Sequence, residues 1–376
     1  MINPGEFYRS LRSHGIDFFC GVPDSLLKEV LLEINATCEA GSHFICPNEG
    51  NAVALAAGHF LASGNLALCY LQNSGLGNAV NPLMSLCHSR VYSIPLLLLI
   101  GWRGEPDVTD EPQHLAQGAI TPDLLRLLDI PFEILNASSN FDSLIAETAK
   151  IAKSRSAPAA ILSTKNTFSP SEVTKRAKSD DNALTLSRED VMRILIESLS
   201  GEAAIFCTTG FASRELFQLR QESGKTGKVA DFLNVGAMGH VSHIALGYAL
   251  SQPTKRVICI DGDGSAIMHM GALAAIGSAR PSRFTHILLN NGAHDSVGGQ
   301  PTCGFKIDFP AIARACGYEN VHSCSDGASA RTSICALLES PGHSFLEVRV
   351  KTGHRANLVR PPHEFQLLKE EFCNFS

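Results

Sequence analysis

Two short stretches decide the fold: VICIDGDG, residues 257–264, and ILLNN, residues 287–291. In the first, an apolar run from Val257 to Ile260 opens into Asp261, Gly262, Asp263 and Gly264; in the second, Ile287–Leu289 ends in Asn290 and Asn291. The segment between them has the length of a helix. A βαβ unit of that size brings the ends of two parallel strands together, so that a carboxylate and a carboxamide can share one hard cation. The glycines let the backbone approach a phosphate, and a helix expected to begin near Ser265 aims its free N–H groups at it. Gly-Asp pairs also make plain turns. The Asn pair one βαβ unit downstream favours a cradle for magnesium and a diphosphate, and either Asn could be the ligand.

Composition sets the surroundings of this unit. The chain has 376 residues, 44% hydrophobic and 18% charged, enough for two domains with real cores. Net charge is -6 and the basic residues are scattered, so no nucleic-acid footprint appears. Met1–Gly15 lacks the basic start and apolar core of a signal peptide, and the run Ile94–Trp102 is too short to span a bilayer. The expectation is a cytoplasmic protein that binds no membrane. Its 12 cysteines contain no Cys-x-x-Cys pair, and Cys69, Cys207 and Cys259 lie in strand-like runs, as buried thiols in a reducing compartment would.

Outward from the Asp263 unit, short apolar runs alternate with helical patterns along both halves, which predicts α/β domains built on doubly wound parallel sheets. The first half offers strands at Phe18–Val22, His43–Cys46, Leu66–Leu71, Pro95–Ile100, Phe132–Leu135 and Ala159–Leu162. In the second they fall at Ala203–Cys207, Asp231–Asn234, Arg256–Ile260, His286–Leu289 and Ser344–Val350. Ser169–Leu184 is polar, with Pro170 and the charges Lys175, Arg176, Lys178, Asp180 and Asp181, and has no apolar period. This gives a first domain over 1–170, a linker over 171–185 and a second domain over 186–376. Ser187 followed by Asp190 matches a capping box at the start of a helix.

The first half has its own acid. Strand His43–Cys46 runs through Pro47 and Asn48 into Glu49, ahead of a helix of small residues from Ala52 to Ala62. A carboxyl group at a strand end, beside a helix N-terminus and against a small-residue surface, is placed to be partly desolvated.

Gly-Asp-Gly followed by Asn-Asn resembles the signature of thiamine diphosphate enzymes. The blocks GVPDSL (21–26), QNSGLGN (72–78) with Asn81–Leu83, GWRGEP (101–106), DEPQH (110–114), GAMGH (236–240) and NNGAHDSVGGQPT (290–302) are similar, in order, to the family of phosphonopyruvate and sulfopyruvate decarboxylases. The resemblance implies a pyrimidine-binding first domain and a diphosphate-binding second domain without a middle domain. It also implies thiamine diphosphate and Mg2+ as cofactors, the metal being held by Asp263, the side-chain oxygen of Asn291 and the backbone carbonyl of Ala293. Glu49 becomes the catalytic acid on the pyrimidine, and Asp24 a second, proton-handling catalytic residue. Gly210, Gly236, Gly262, Gly264 and Ser265 would line the diphosphate, with Met238 as the bulky residue that bends the cofactor.

By the same resemblance the reaction is decarboxylation of a 3-substituted 2-oxo acid, 3-phosphonopyruvate first, with sulfopyruvate decarboxylation or carboligation as rivals. A doubly anionic substrate needs cationic and N–H donors. Ser25, Lys28, Asn73, Arg103, His114, His294 and Asp295 are the candidate substrate residues, with Ser296, Arg360 and His240 behind them. Thr109, Ala116 and Val359 stand where the family pattern carries lysine, lysine and glycine, two fewer positive charges near the loop. So short a chain implies a homo-oligomer in which Glu49 of one copy completes the cradle of another.

Overall fold

The structure is a computed structural model that describes residues 1–173, 184–224, 229–362 and 364–375. The chain forms two compact units, Met1–Lys178 and Ser179–Ser376. Most of the linker expected over 171–185 lies outside the described residues. Its first residue packs on the first unit, where Ser171 N donates to Glu29 Oε2 at 2.9 Å.

The first unit holds strands β1 (Phe18–Gly21), β2 (His43–Ile45), β3 (Ala67–Gln72), β4 (Leu97–Gly101), β5 (Phe132–Leu135) and β6 (Ala159–Ser163), in the order β2-β1-β3-β4-β6-β5. All pairs are parallel. The second unit holds β7 (Ala203–Cys207), β8 (Val229–Leu233), β9 (Arg256–Gly262), β10 (Arg283–Asn290), the short antiparallel ribbon β11 (Ala293–His294) and β12 (Gln300–Pro301), then β13 (Asn320–Cys324) and β14 (Gly342–Arg349). Its six-stranded parallel sheet runs β13-β14-β10-β9-β7-β8. In each unit the chain winds outward one way and then the other. The crevice of such a sheet opens where the direction reverses, between β1 and β3 in one unit and between β7 and β9 in the other.

Helices cover both faces, which is why the central strands read as unbroken apolar runs. Along β4, Leu97 and Leu99 face Phe7, Leu31 and Ile145, whereas Leu98 and Ile100 face Val53, Ala56 and Leu125. In the second unit Ile205, Ile258 and Leu346 share one layer; Phe206, Val257 and Phe345 share the other.

Every strand expected from the apolar runs is present, with ends displaced by at most three residues. The reading missed β13, an edge strand whose half-exposed Asn-Val-His-Ser-Cys carries no apolar run, and the ribbon, too short for any periodicity. The helix expected near Ser265 begins earlier, with Asp263 as its first residue, because a carboxylate in the first turn complements the helix dipole. The capping box forms: Asp190 N donates to Ser187 Oγ at 3.1 Å and Ser187 N to Asp190 Oδ2 at 2.9 Å. Among the described residues no helix is long and apolar enough to cross a membrane.

Phe345 on β14 is fully buried, with the rings of His286 and Tyr318 at 5.2 and 5.6 Å. Phe345→Ala is expected to lower the unfolding free energy of the protein by about 3–5 kcal/mol, read as an earlier urea midpoint.

Candidate active site

The register of the second sheet brings the two marked stretches together. Leu289 pairs with Gly262, so the residues after β10 lie beside the start of the helix Asp263–Met268. Asp263 is 2% exposed. Its carboxylate accepts from the Thr302 hydroxyl and from backbone N–H groups that include that of Asn291, all neutral donors. Burial pushes the carboxyl up to about 6 against the pull of those donors.

The two asparagines do different work. Asn290 is fully buried, and its amide donates to Gly304 O at 2.9 Å and to Glu347 Oε1 at 2.8 Å. Asn291 donates Nδ2 to Asp295 Oδ2 at 2.8 Å and accepts from Ala293 N at 3.1 Å. Gly292 turns the chain between them at φ +65°, with the Phe305 ring where a side chain would go. Opposite Ala293 stands Pro301, which has no N–H to offer its carbonyl.

Neighbouring loops close around this point. Ser265 Oγ accepts from Thr208 Oγ1 and from Gly239 N, both at 3.1 Å, tying the ends of β7 and of the Gly236 loop to the same helix. Gly210 begins the helix Phe211–Ser223 at φ +92°. Gly236 N donates to Asn234 Oδ1 at 3.4 Å, and Ala237 takes φ +46°, a left-handed conformation rare for a residue with a side chain, next to half-buried Met238. His294 is neutral, lowered to about 4 by burial. Its ring lies on Gly264, where an added methyl group would meet Cε1 at 2.9 Å. His240 stacks on His269 with ring centroids 4.4 Å apart.

Asp295 sits inside a buried network rather than facing outward. Its Oδ2 accepts from Arg188 Nη1 at 2.8 Å, from Asn291 Nδ2 at 2.8 Å and from Gly353 N at 3.0 Å. Arg188, 7% exposed, also holds Glu215 through two nitrogens at 3.1 and 3.2 Å. Nothing in the sequence around Arg188 marks it, because its partners come from distant segments.

In the first unit the acids stand at the switch between β1 and β3. Glu49 opens the helix Glu49–Ser63 and is 5% exposed. Asn78 Nδ2 donates to its Oε2 at 2.7 Å, and a methyl group at Gly75 would stand 2.2 Å from its Oε1. Burial raises the carboxyl above its ordinary value, with Asn78 opposing. The quoted 72–78 block contains Asn78, but its role shows only once the helix carrying it lies against Glu49.

Asp24 follows β1 and is fully buried; its Oδ1 accepts from Leu26 N at 2.9 Å and Leu27 N at 3.2 Å. Its Oδ2 has no partner among the described residues. Arg103 grips Asp110 through Nε and Nη2 and Ser25 Oγ through Nη1 at 2.8 Å. Asn73 holds the same loop, with Nδ2 on Arg103 O at 2.8 Å and on Thr121 Oγ1 at 2.9 Å. His114 is lowered to about 4 by burial and by Arg103, and Lys28, about 40% exposed, pairs with Glu29 at 3.4 Å.

Among the described residues no group of three or more His, Cys, Asp or Glu side chains is arranged for a metal. The groups that would hold a cation here are of another kind: the desolvated carboxylate of Asp263, a carboxamide and a backbone carbonyl, beside glycine backbone at a helix start. That donor set suits a hard divalent cation with a phosphate. The sequence matches the family described as thiamine pyrophosphate enzyme, N-terminal TPP binding domain, over residues 6–125, and its C-terminal TPP binding domain over 209–348. It is 33% identical to phosphonopyruvate decarboxylase of Streptomyces viridochromogenes, over 96% of this chain and 91% of that one. Sulfopyruvate decarboxylase of Methanosarcina acetivorans is 29% identical, over 97% and 96%. The alpha and beta subunits of sulfopyruvate decarboxylase from Methanothermobacter thermautotrophicus are 34% and 33% identical, each over about two fifths of this chain (41% and 42%) and over 91% and 81% of their own lengths.

Burial pushes the Asp24 carboxyl from an ordinary 3.8 to about 6, against its backbone N–H donors and Arg103. A carboxyl raised by folding favours the folded state when protonated, so its contribution is whole at acid pH and is lost as pH rises through about 6. Asp24→Asn keeps the acceptor for Leu26 and Leu27 but removes the titration. Relative to wild type, its unfolding free energy should rise by about 2 kcal/mol between pH 4 and pH 7, measured by denaturant unfolding at both.

Proposed function

We propose that this chain, which belongs to the thiamine pyrophosphate enzymes and within them to the family of the phosphonopyruvate and sulfopyruvate decarboxylases, removes carbon dioxide from a 3-substituted 2-oxo acid. The substrate is 3-phosphonopyruvate and the products are phosphonoacetaldehyde and carbon dioxide. The observation that carries this reading is the meeting of the Asp263 carboxylate and the Asn291 backbone at the carboxyl ends of β9 and β10, in a chain that matches both thiamine pyrophosphate domains.

Bound thiamine diphosphate supplies the electron sink that lets the carboxylate leave as carbon dioxide. Asp263, Asn291 and the Ala293 carbonyl would hold Mg2+. The family resemblance gives Asn291 as the ligand; Asn290 donates its amide to Gly304 O and Glu347 Oε1. Gly210, Gly236, Gly262, Gly264 and Ser265 line the diphosphate, and Met238 supports the bend of the cofactor. Glu49, buried and raised, holds a proton at the pyrimidine ring nitrogen. Asp24, with its free Oδ2, gives and takes a proton near the substrate.

In the first unit Ser25, Lys28, Asn73 and His114 are the groups for the 2-oxo acid; in the second it is His294. Arg103 and Asp295 act behind them as positioning groups, because their charges are already engaged. That engagement favours one second reading: a sulfonate monoanion, as in sulfopyruvate, asks for less positive charge than a phosphonate dianion. The active protein is a homo-oligomer of at least two copies, with Glu49 of one serving the cradle of another. The unpaired thiols of all twelve cysteines suit the cytoplasm.

Anaerobic turnover of pyruvate, 3-phosphonopyruvate and 3-sulfopyruvate, with carbon dioxide and aldehyde both measured, tests the reaction. The phosphonate acid should give the highest kcat/KM, and absence of carbon dioxide release from all three would refute the assignment. Glu49→Gln should lower kcat by about a hundred-fold or more in the same assay. Dialysis against a chelator should abolish thiamine diphosphate binding by calorimetry, and Mg2+ or Mn2+ should restore it; binding that survives the chelator would remove the metal from the site.

A further inference from the structure

Gln300 is 4% exposed, yet neither its Nε2 nor its Oε1 has a hydrogen-bond partner among the described residues. A buried amide with both ends unsatisfied is costly, so its position asks for a ligand. Three contacts fix where it faces. Gln300 pairs with His294 across the antiparallel ribbon, so the two side chains share a face. Thr302 follows two residues on and, by strand alternation, projects to that same side, while Pro301 between them is exposed. The flanking pair touch one place: the His294 ring lies on Gly264, and Thr302 donates to Asp263 while its Cγ2 would stand 3.4 Å from a methyl group on Gly264. Gln300, between them, faces the start of the helix Asp263–Met268.

We propose that Gln300 is a binding residue for the diphosphate end of the cofactor. Its amide N–H would donate to the diphosphate and its amide oxygen would accept from water there, two roles one carboxamide fills together. The ribbon is then a device that carries His294, Gln300 and Thr302 as one face over the cradle. This rests on the functional reading above.

The test is calorimetric titration of the full chain with thiamine diphosphate and, separately, with inorganic pyrophosphate, both at saturating Mg2+. Gln300→Met keeps the length and removes the amide; Gln300→Glu keeps the shape and adds a charge of the diphosphate's own sign. Both should weaken both ligands, Met by about ten-fold and Glu by more, and the ligand-free unfolding midpoint of the Met variant should not fall. Ligand-free destabilisation or misfolding of the Met variant, or wild-type affinity for pyrophosphate in it, would overturn the proposal. So would a fall in kcat with both affinities intact, which would move the contact to the substrate. Wild-type protein that bound no thiamine diphosphate would instead sink the functional reading, and this inference with it.

Discussion

Keeping carboxyl groups dry at the carboxyl ends of parallel strands is the constraint on which this molecule is built. Asp24, Glu49 and Asp263 are each buried, and burial raises each of them. Each also lies against a glycine that could carry no side chain. A methyl group would come to 2.0 Å from Asp24 Oδ1 at Gly101, 2.2 Å from Glu49 Oε1 at Gly75 and 2.4 Å from Asp263 Oδ2 at Gly304. The same backbone that excludes water thus approaches the acid closely enough to hold it in one orientation, with neutral donors such as Asn78, Leu26 N and Thr302. A carboxyl group so placed is poised between charge states and ready for a cation or a proton.

Around these acids stands a layer of buried polar residues that orient the functional ones. Arg188, Glu215 and Asp295 form one such group and hold Asn291 through its amide. Asn290, Glu347 and Ser323 form another, fixing the turn that leads to Ala293. In the first unit Arg103, Asp110, Ser25 and Asn73 pin the loop after β4. Burying charge is expensive, and removing one partner from any of these groups leaves the others unpaired in a poorly polarisable interior. Such groups contribute less to net stability than to holding ligating side chains at fixed angles.

The assignment of charges changes how the substrate end is understood. By residue type alone, Arg103 is an obvious anchor for an anion and Asp295 an obvious polar contact. Their observed partners convert both into supports. Burial keeps His114 uncharged in the first unit and His294 uncharged in the second.

By itself the sequence determined the α/β class and every strand of the two parallel sheets but β13, and it singled out the acids as candidates. Alternation of apolar runs with helical patterns and the chemistry of Asp-Gly-Asp-Gly, Asn-Asn and Asn-Glu are local properties, visible along one segment of chain. It could not decide how the two asparagines divide their partners, that Arg103 is already engaged, that Asn78 holds Glu49, or that Gln300 is buried without a hydrogen-bond partner among the described residues. Several of these depend on residues far apart in the chain: Asn290 and Glu347 are 57 positions apart, Arg103 and Ser25 78. Hydrogen-bond partners at that separation leave no periodic trace in the chain, so only tertiary structure assigns them.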